Sequence, residues 1–582
     1  MSANQAVSQI SQAEPGMRDY DLECRTFSWD REAKYLDGLP GNGGLNIAHE
    51  ALVRHAAGKL AGIPAFRFIR SDLSQQDYTY GDMHRLSSRF ANVLLALKLE
   101  KGDRVFTLLG RIPELYVSAL GTLKAGGIFC PLFSVFGPEP VLQRLSRGDA
   151  RILVTTTELW KKRVVPQADR LTFLKYVLLV DAPDHLDGGV LSYPLLLSQA
   201  SESYQIAPTN PEDPALLHFT SGTTGMPKGA VHVHRAVLMH ELTGRIVLDF
   251  HPGDIFWCTA DPGWVTGTSY GIISPLVNGV TSIVDEEEFD AERWLTILQQ
   301  QRVTVWYTAP TAIRRLMRLD YLPRERYDLS SLRLVCSVGE PLNAEAVVWG
   351  ERALGKKILD NWWQTETGGI LIANYCGVPV KPGSMGRPLP GIEAGIAEVT
   401  DTGMKLLEEA DRQGNLVIRN GWPSMFRAYL HDPDRYQRSF RDGWYVTGDL
   451  ARRDADGYFW FVGRADDIIK TSGHLVGPFE VESVLMQHPA IEEAAVIGIP
   501  DPVVGERVKA YLVIRQSVHW DNHLLNDVTA FARRNLGTAI APKEYTVVAG
   551  LPKTKSGKVL RRLLKARELG LPEGDLSTLE KS

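Results

Sequence analysis

Residues 219–229 gather small, hydroxylated and turn-forming side chains around one lysine: Phe219, Thr220, Ser221, Gly222, Thr223, Thr224, Gly225, Met226, Pro227, Lys228 and Gly229. Three glycines let backbone N–H groups turn toward an anion, four hydroxyls add donors, and Lys228 supplies a compact charge. The chemistry this suits is the holding of a phosphate chain, with a nucleoside triphosphate as the guest. The P-loop of nucleoside triphosphatases needs Ser or Thr after its lysine, at the mouth of a helix; here Gly229 follows Lys228. This is therefore a phosphate loop of another kind. A surface hairpin is the alternative reading of the same residues.

Further chemistry-bearing clusters stand in apolar surroundings. Residues 260–267, with Asp261, Trp264, Val265 and Thr266, form a turn-rich stretch. Residues 335–338 read as a buried strand ending at Val338 in a Gly339, Glu340, Pro341 turn, the kind of strand terminus at which α/β sheets bind ligands. Residues 360–368 follow a strand over 357–359 and include Asp360, Asn361, Trp362, Trp363, Gln364, Thr365 and Glu366. Two tryptophans beside acids, amides and threonines suit a flat ring plus a metal-bound phosphate; either tryptophan alone reads better as core. Near the end, Lys558 follows a polar, turn-rich segment and precedes a basic helix carrying Arg561, Arg562, Lys565 and Arg567.

These residues need elements to hold them. Apolar runs before and after the phosphate loop predict strand, loop and strand, with a helix starting near His234. Leu86, Phe90, Val93, Leu94 and Leu97 mark one face of an amphipathic helix over 82–97. A strand over 104–109, a helix over 114–125 and a strand opening at Ile128 give the βαβ rhythm of a parallel sheet. Residues 1–45 read as a loosely structured lead-in, and regular structure is expected from Asn46. From Arg464 the character changes to short helices and strands, predicting a small α+β domain over 466–582 hinged at Asp466. The fold class is α/β: a large N-terminal domain of layered sheets and helices, with a small, mobile C-terminal domain.

The whole chain of 582 residues has ample apolar content for such cores, at 44%. A net charge of −5 gives no footprint for nucleic-acid binding. Five scattered cysteines without ligand spacing, no apolar leader and no run of membrane-spanning length predict a soluble, cytoplasmic protein with reduced thiols and no membrane partner.

Taken together these motifs resemble the acyl-adenylate-forming superfamily of acyl-CoA synthetases, adenylation domains and luciferases. Its motifs stand in order: the phosphate loop, then Tyr307 to Thr311, Gln364 to Gly368, Thr447-Gly448-Asp449, Gly463 to Asp467, and the late Lys558. The Trp362-to-Gly368 and Gly263-to-Gly267 versions are most similar to the AMP-forming acetyl-CoA synthetases, in a short form without the extension of larger members. The resemblance implies an AMP-binding domain over 46–465 and a mobile domain over 466–582. It implies ATP and CoA as co-substrates, Mg2+ as cofactor, and attack of a carboxylate on the α-phosphorus, followed by displacement of AMP by the CoA thiol.

By the same resemblance Thr220, Ser221, Gly222, Thr223, Thr224, Gly225 and Lys228 would hold the β- and γ-phosphates, and Glu366 would ligate Mg2+. Gly339, Glu340, Pro341, Asp360, Asn361, Trp362, Gln364, Thr365 and Phe461 would border the nucleotide, and Asp449 and Arg464 would bond the ribose. Val265, Thr266, Val338 and Trp363 would wall the acyl pocket. Lys558 would contact the carboxylate and the α-phosphate; Ser472, Gly473 and Arg533 would meet CoA after rotation about Asp466. Lys558 also resembles the lysine that acetyltransferases and deacetylases modify in relatives. Two positions depart from the acetate-specific pattern: Leu475 replaces arginine, with His474 beside it, and Thr268 replaces histidine at the pocket edge.

Acetate is the leading substrate. Propionate, a medium-chain or an aromatic acid is the alternative, because Pro478-Phe479-Glu480 also resembles medium-chain relatives. A phosphotransferase forming acyl phosphate and ADP, and a non-catalytic or carrier-loading module, are the readings from other classes. Release of AMP and pyrophosphate separates the ligase from the phosphotransferase, and Lys558 and Glu366, retained where chemistry would need them, speak against mere binding.

Overall fold

The computed structural model of the protein describes residues 14–186, 188–220, 227–400, 403–471, 474–502, 504–516, 518–538, 540–554, 558–573, 576 and 579; of residues 474 and 475 it describes the backbone alone. Two large sheets share the N-terminal domain. Among the described residues one has nine strands, with Ile358–Trp362, Leu334–Ser337, Val305–Thr308, Ile255–Cys258 and Thr281–Asp285 adjacent and parallel at its centre. The other has eight, in which Pro214–Thr220 and Lys228–Val233 pair antiparallel beside parallel Ile128–Phe133 and Arg104–Leu109. The parallel strands are buried almost throughout, as strands covered on both faces must be.

Helices Tyr80–Ala96 and Pro113–Lys124 fill the space between the sheets. Their Phe90, Leu94, Leu115 and Leu120 share one core with Phe66 and Phe68 of the nine-stranded sheet and with Val105 and Phe129 of the eight-stranded one. The first helix starts where expected because Thr79 and Asp82 satisfy each other's backbone N–H groups in a capping box. A further sheet carries Trp444–Arg453 against Phe459–Arg464 and leads into the small domain. There Ile491–Asp501 and Gly505–Ile514 form a long antiparallel pair, with helices Pro478–Leu485 and Asn522–Leu536 packed into the same core.

The lead-in departs from expectation. Helix Tyr20–Thr26, capped by Asp19, precedes Asn46, Met17 is buried in the main core, and Gly44 bridges Thr209. Short amphipathic turns leave little periodicity to read, yet they cover the large domain.

Register brings the site together. Thr308 pairs with Ser337 and Ser337 with Asp360, so these three residues stand level across adjacent parallel strands, at the edge where ligands of such sheets bind. The strand over Ile358–Trp362 runs further than expected and includes Asp360, Asn361 and Trp362 themselves.

Candidate active site

Two cavities open at this edge. The larger, of about 750 Å3, is lined by Val265, Thr266, Val338, Gly339, Trp363 and Thr365, and also by Asp261, Arg111, Arg315 and Arg318. The expected acyl-pocket residues thus share one wall. Val265 and Thr266 open a short helix, Val265–Thr268, where a turn was expected. Thr268 does not shape the pocket edge as expected: it is buried, and its Oγ1 donates to Pro262 O at 3.0 Å to tie the start of that helix. The Trp363 indole stands edge-on to Tyr270, with ring centres 5.1 Å apart, and its Nε1 donates to the Tyr307 hydroxyl at 3.3 Å. Asp261, from the turn-rich stretch but given no expected role, is largely buried beside this cavity. Burial pushes its pKa up to about 6, and Arg111, 3.9 Å away, opposes the rise.

The smaller cavity, of about 250 Å3, is lined by Gly339, Glu340, Pro341, Asp360, Asn361, Trp362, Gln364, Asp449, Phe461 and Arg464. All the expected nucleotide residues outside the phosphate loop except Thr365 meet here, but several of their side chains are already engaged. Asp449 Oδ2 accepts from Trp362 Nε1 at 2.9 Å and Gln364 Nε2 at 2.8 Å, while Oδ1 accepts from Arg464 Nη1 at 2.8 Å. Trp362 is therefore a largely buried indole whose Nε1 aims Asp449, and it packs in the main core while also lining this cavity. Asn361 is spent on Tyr307 and Ser337 O, and Glu340 on Thr311 and Arg314. Asp360 keeps a free atom: Oδ2 accepts from Leu342 N, and the buried Oδ1 has no partner among the described residues. Burial pushes this carboxyl up to about 8. Gly339 adopts φ +94° with open space beyond its Cα, so the bend there depends on glycine for conformation.

Ser221, Gly222, Thr223, Thr224 and Gly225 lie outside the described residues. The two strand ends that flank them are described. Thr220 pairs with Lys228 across the antiparallel ladder, and the Thr220 Oγ1 is buried with no partner among the described residues. Burial lowers the pKa of Lys228, and nearby Glu366 opposes that shift. Glu366 Oε1 accepts from the Tyr429 hydroxyl at 2.7 Å, and the Lys228 Nζ lies 5.5 Å from the centre of the Tyr429 ring. Tyr429 gave no sequence signal. It arrives because Ala428–Tyr429 pairs with Lys228–Val233. Behind Glu366 the chain is clamped: Thr367 O accepts from Trp422 Nε1 and Ser424 Oγ, and Gly368 O meets His240 Nε2 at 2.9 Å.

Lys558, exposed on the small domain, lines both cavities. Its backbone meets Thr554, with Thr554 N donating to Lys558 O at 2.7 Å and Lys558 N to Thr554 Oγ1 at 3.0 Å. Asp466 is exposed in the turn after the Phe459–Arg464 strand, with Oδ1 3.4 Å from Arg464 Nε. Of the residues expected at CoA, Ser472 and Gly473 lie outside the described residues, as do the side chains of His474 and Leu475. Arg533 is exposed on the last turn of helix Asn522–Leu536 and lines neither cavity. The described residues hold no cluster of three or more His, Cys, Asp or Glu fit for a metal ion, and no helix long and apolar enough to cross a membrane.

Known proteins match this arrangement over most of its length. Residues 53–430 fit the family model described as AMP-binding enzyme, and residues 480–558 that of the AMP-binding enzyme C-terminal domain. The acetyl-coenzyme A synthetase of Bacillus subtilis (strain 168) is 45% identical over 566 residues, covering 97% of this chain and 97% of its own. That of Methanothrix thermoacetophila is 38% identical, covering 92% of this chain and 85% of its own. Among solved structures, a Brucella canis acyl-CoA synthetase superposes with a TM-score of 0.74 at 33% identity, covering 95% of this chain and 99% of its own. An anthranilate CoA ligase in complex with anthranoyl-AMP superposes with a TM-score of 0.81 at 28% identity, covering 90% and 97%. The chain belongs to the AMP-binding enzyme family.

Proposed function

We propose that this chain is an AMP-forming acetate–CoA ligase. A carboxylate oxygen of acetate attacks the α-phosphorus of ATP, giving acetyl-AMP and pyrophosphate; the CoA thiol then attacks the acetyl carbon and AMP leaves. The observation that carries the reading is that Lys558 lines both the cavity walled by Trp363 and the cavity holding Asp449. An ammonium at that junction lowers the repulsion between acetate and the α-phosphate as the two anions meet. Relatives named as acetyl-coenzyme A synthetases over nearly full length support acetate as the acid.

Other residues take the remaining roles. Asp449, held from both sides, accepts from ribose hydroxyls, and the free Oδ1 of Asp360 faces the nucleobase. The residues present also fit Mg2+. Glu366 offers a carboxylate with one oxygen engaged by Tyr429, and Thr220, paired with Lys228 on the neighbouring strand, carries a buried hydroxyl with no partner among the described residues. One acid suits an ion that takes its other oxygens from phosphates and water. When bound, Mg2+ supplies charge neutralisation on the phosphates. Lys228 and the phosphate loop supply the rest. The small domain, hinged at Asp466, then turns to admit CoA through Ser472, Gly473 and Arg533. The exposed amine of Lys558 is also open to a lysine acetyltransferase and deacetylase, and acetylation would remove the charge the first step needs.

A panel of carboxylates, assayed for pyrophosphate release with and without CoA, tests the reading. Acetate is expected to lead, with AMP as the nucleotide product. ADP formation, or a longer or aromatic acid in the lead, overturns it.

A further inference from the structure

The turn that carries Lys558 is gripped at both ends of its stem. Lys553 and Val559 bridge, and Leu560 N donates to Pro552 O at 2.8 Å. On the far side Arg561 Nε donates to Glu482 Oε1 at 2.8 Å, and its Nη1 lies 3.7 Å from Asp467. On the near side Lys553 Nζ donates to Glu493 Oε1 at 2.6 Å. Glu482, Asp467 and Arg561 all belong to the small domain, so that grip shapes the turn without tying it to the large one.

Glu493 differs. The same Oε1 that accepts from Lys553 also accepts from Arg318 Nη2 at 2.5 Å, and Arg318 belongs to the large domain and lines the acyl-side cavity. The neighbouring Glu492 meets Arg318 at 2.8 Å but not Lys553. Glu493 is mostly buried, with its side chain 13% exposed, and it lines both cavities. A carboxylate so placed, with two cations on one oxygen, escapes much of the solvent screening that weakens surface pairs.

We infer that Glu493 is a positioning residue for acetate adenylation. It fastens the Lys558 turn, through Lys553, to Arg318 of the large domain, and so sets where the Lys558 ammonium stands. The inference rests on the acetate-activating reading above. Arg314, whose charge also reaches Glu493, is paired with Glu340 instead. The contact matters only while Lys558 must be at the cavity junction. Formation of acetyl-AMP needs it, and thioester formation from acetyl-AMP does not.

The test separates the half-reactions in the full-length chain. Glu493→Gln keeps the shape and removes the charge. Pyrophosphate release from acetate and ATP should slow roughly tenfold or more, as misplacement of a reacting charge commonly does, while acetyl-CoA formation from supplied acetyl-AMP and CoA stays within about twofold. Glu492→Gln, which spares Lys553, should cost less in the first step. Equal loss in both half-reactions, or none in either, overturns the inference. Arg318→Ala, a change on the other domain, must give the same split, and it decides the matter if Glu493→Gln melts early. If the unmodified protein releases pyrophosphate with another acid, the acetate reading has failed, and the same comparison is then made with that acid.

Discussion

The Trp363 indole is pinned edge-on against Tyr270, with ring centres 5.1 Å apart, and its Nε1 donates to Tyr307. A ring so held is a fixed wall. Rejection of longer acids by this wall is a steric penalty, whereas an unfilled pocket discriminates by only about 1–3 kcal/mol per methylene. Trp363→Gly should therefore lower kcat/KM for acetate and admit four- to six-carbon acids. An unchanged chain-length profile across a carboxylate series would remove Trp363 from the acyl pocket.

Glu366 is aimed by the Tyr429 hydroxyl and by the clamped backbone behind it. Glu366→Gln should preserve that hydrogen bond, since an amide oxygen accepts as well, and lose the charge. Turnover is expected to fall by roughly 100-fold or more while ATP binding by calorimetry weakens far less. Near-normal turnover at ordinary Mg2+ would move the metal-ligating role elsewhere.

Lys558→Ala should divide the reaction. Acetyl-AMP formation loses the charge between two anions and slows by roughly 100-fold or more, whereas acetyl-CoA is still made from supplied acetyl-AMP. Loss of both half-reactions in equal measure would make Lys558 a structural cation of the small domain.

Lys124 predicts a pH dependence of stability away from the site. It is 1% exposed, and its Nζ donates to His84 O and Ser88 Oγ, both at 2.9 Å. Burial lowers its pKa from 10.5 to about 7. Between those two values the unfolded chain binds a proton that the folded chain lacks, so this group makes stability rise with pH across that window. Its penalty is fully present below about pH 7 and gone above about pH 10.5. Lys124→Met should raise Tm most at the acid end, by the equivalent of about 2–5 kcal/mol, and the two melting curves should converge as pH rises. Parallel Tm-against-pH curves would mean that Lys124 stays charged when buried.

The chemistry-bearing residues were legible wherever they are contiguous. The 339–341 turn and the strand pair around the phosphate loop stand where pattern and motif put them, and the 360–368 run opens on a strand that reaches further, to Trp362. The assignment of individual side chains was not. The Trp362 indole donates to Asp449, 87 residues away, and no local spacing encodes that partner. Tyr429 reaches Glu366 through strand pairing, and Glu493 reaches Arg318 through domain packing, 175 residues apart in the chain. The lead-in was misread for the same reason: Met17 is buried only because residues far along the chain enclose it. Arg533, expected at CoA, stands on a surface that lines neither cavity in this arrangement.

The oxygen balance of the two steps tests adenylation most directly. If acetate attacks the α-phosphorus, one carboxylate oxygen becomes the bridge of acetyl-AMP and departs with AMP when the thiol attacks the acetyl carbon. Acetate labelled with oxygen-18, turned over with ATP and CoA, should therefore leave one labelled oxygen in AMP and none in pyrophosphate, as read by mass spectrometry. Label in inorganic phosphate with unlabelled nucleotide would mean an acyl phosphate intermediate, and adenylation by this chain would be contradicted.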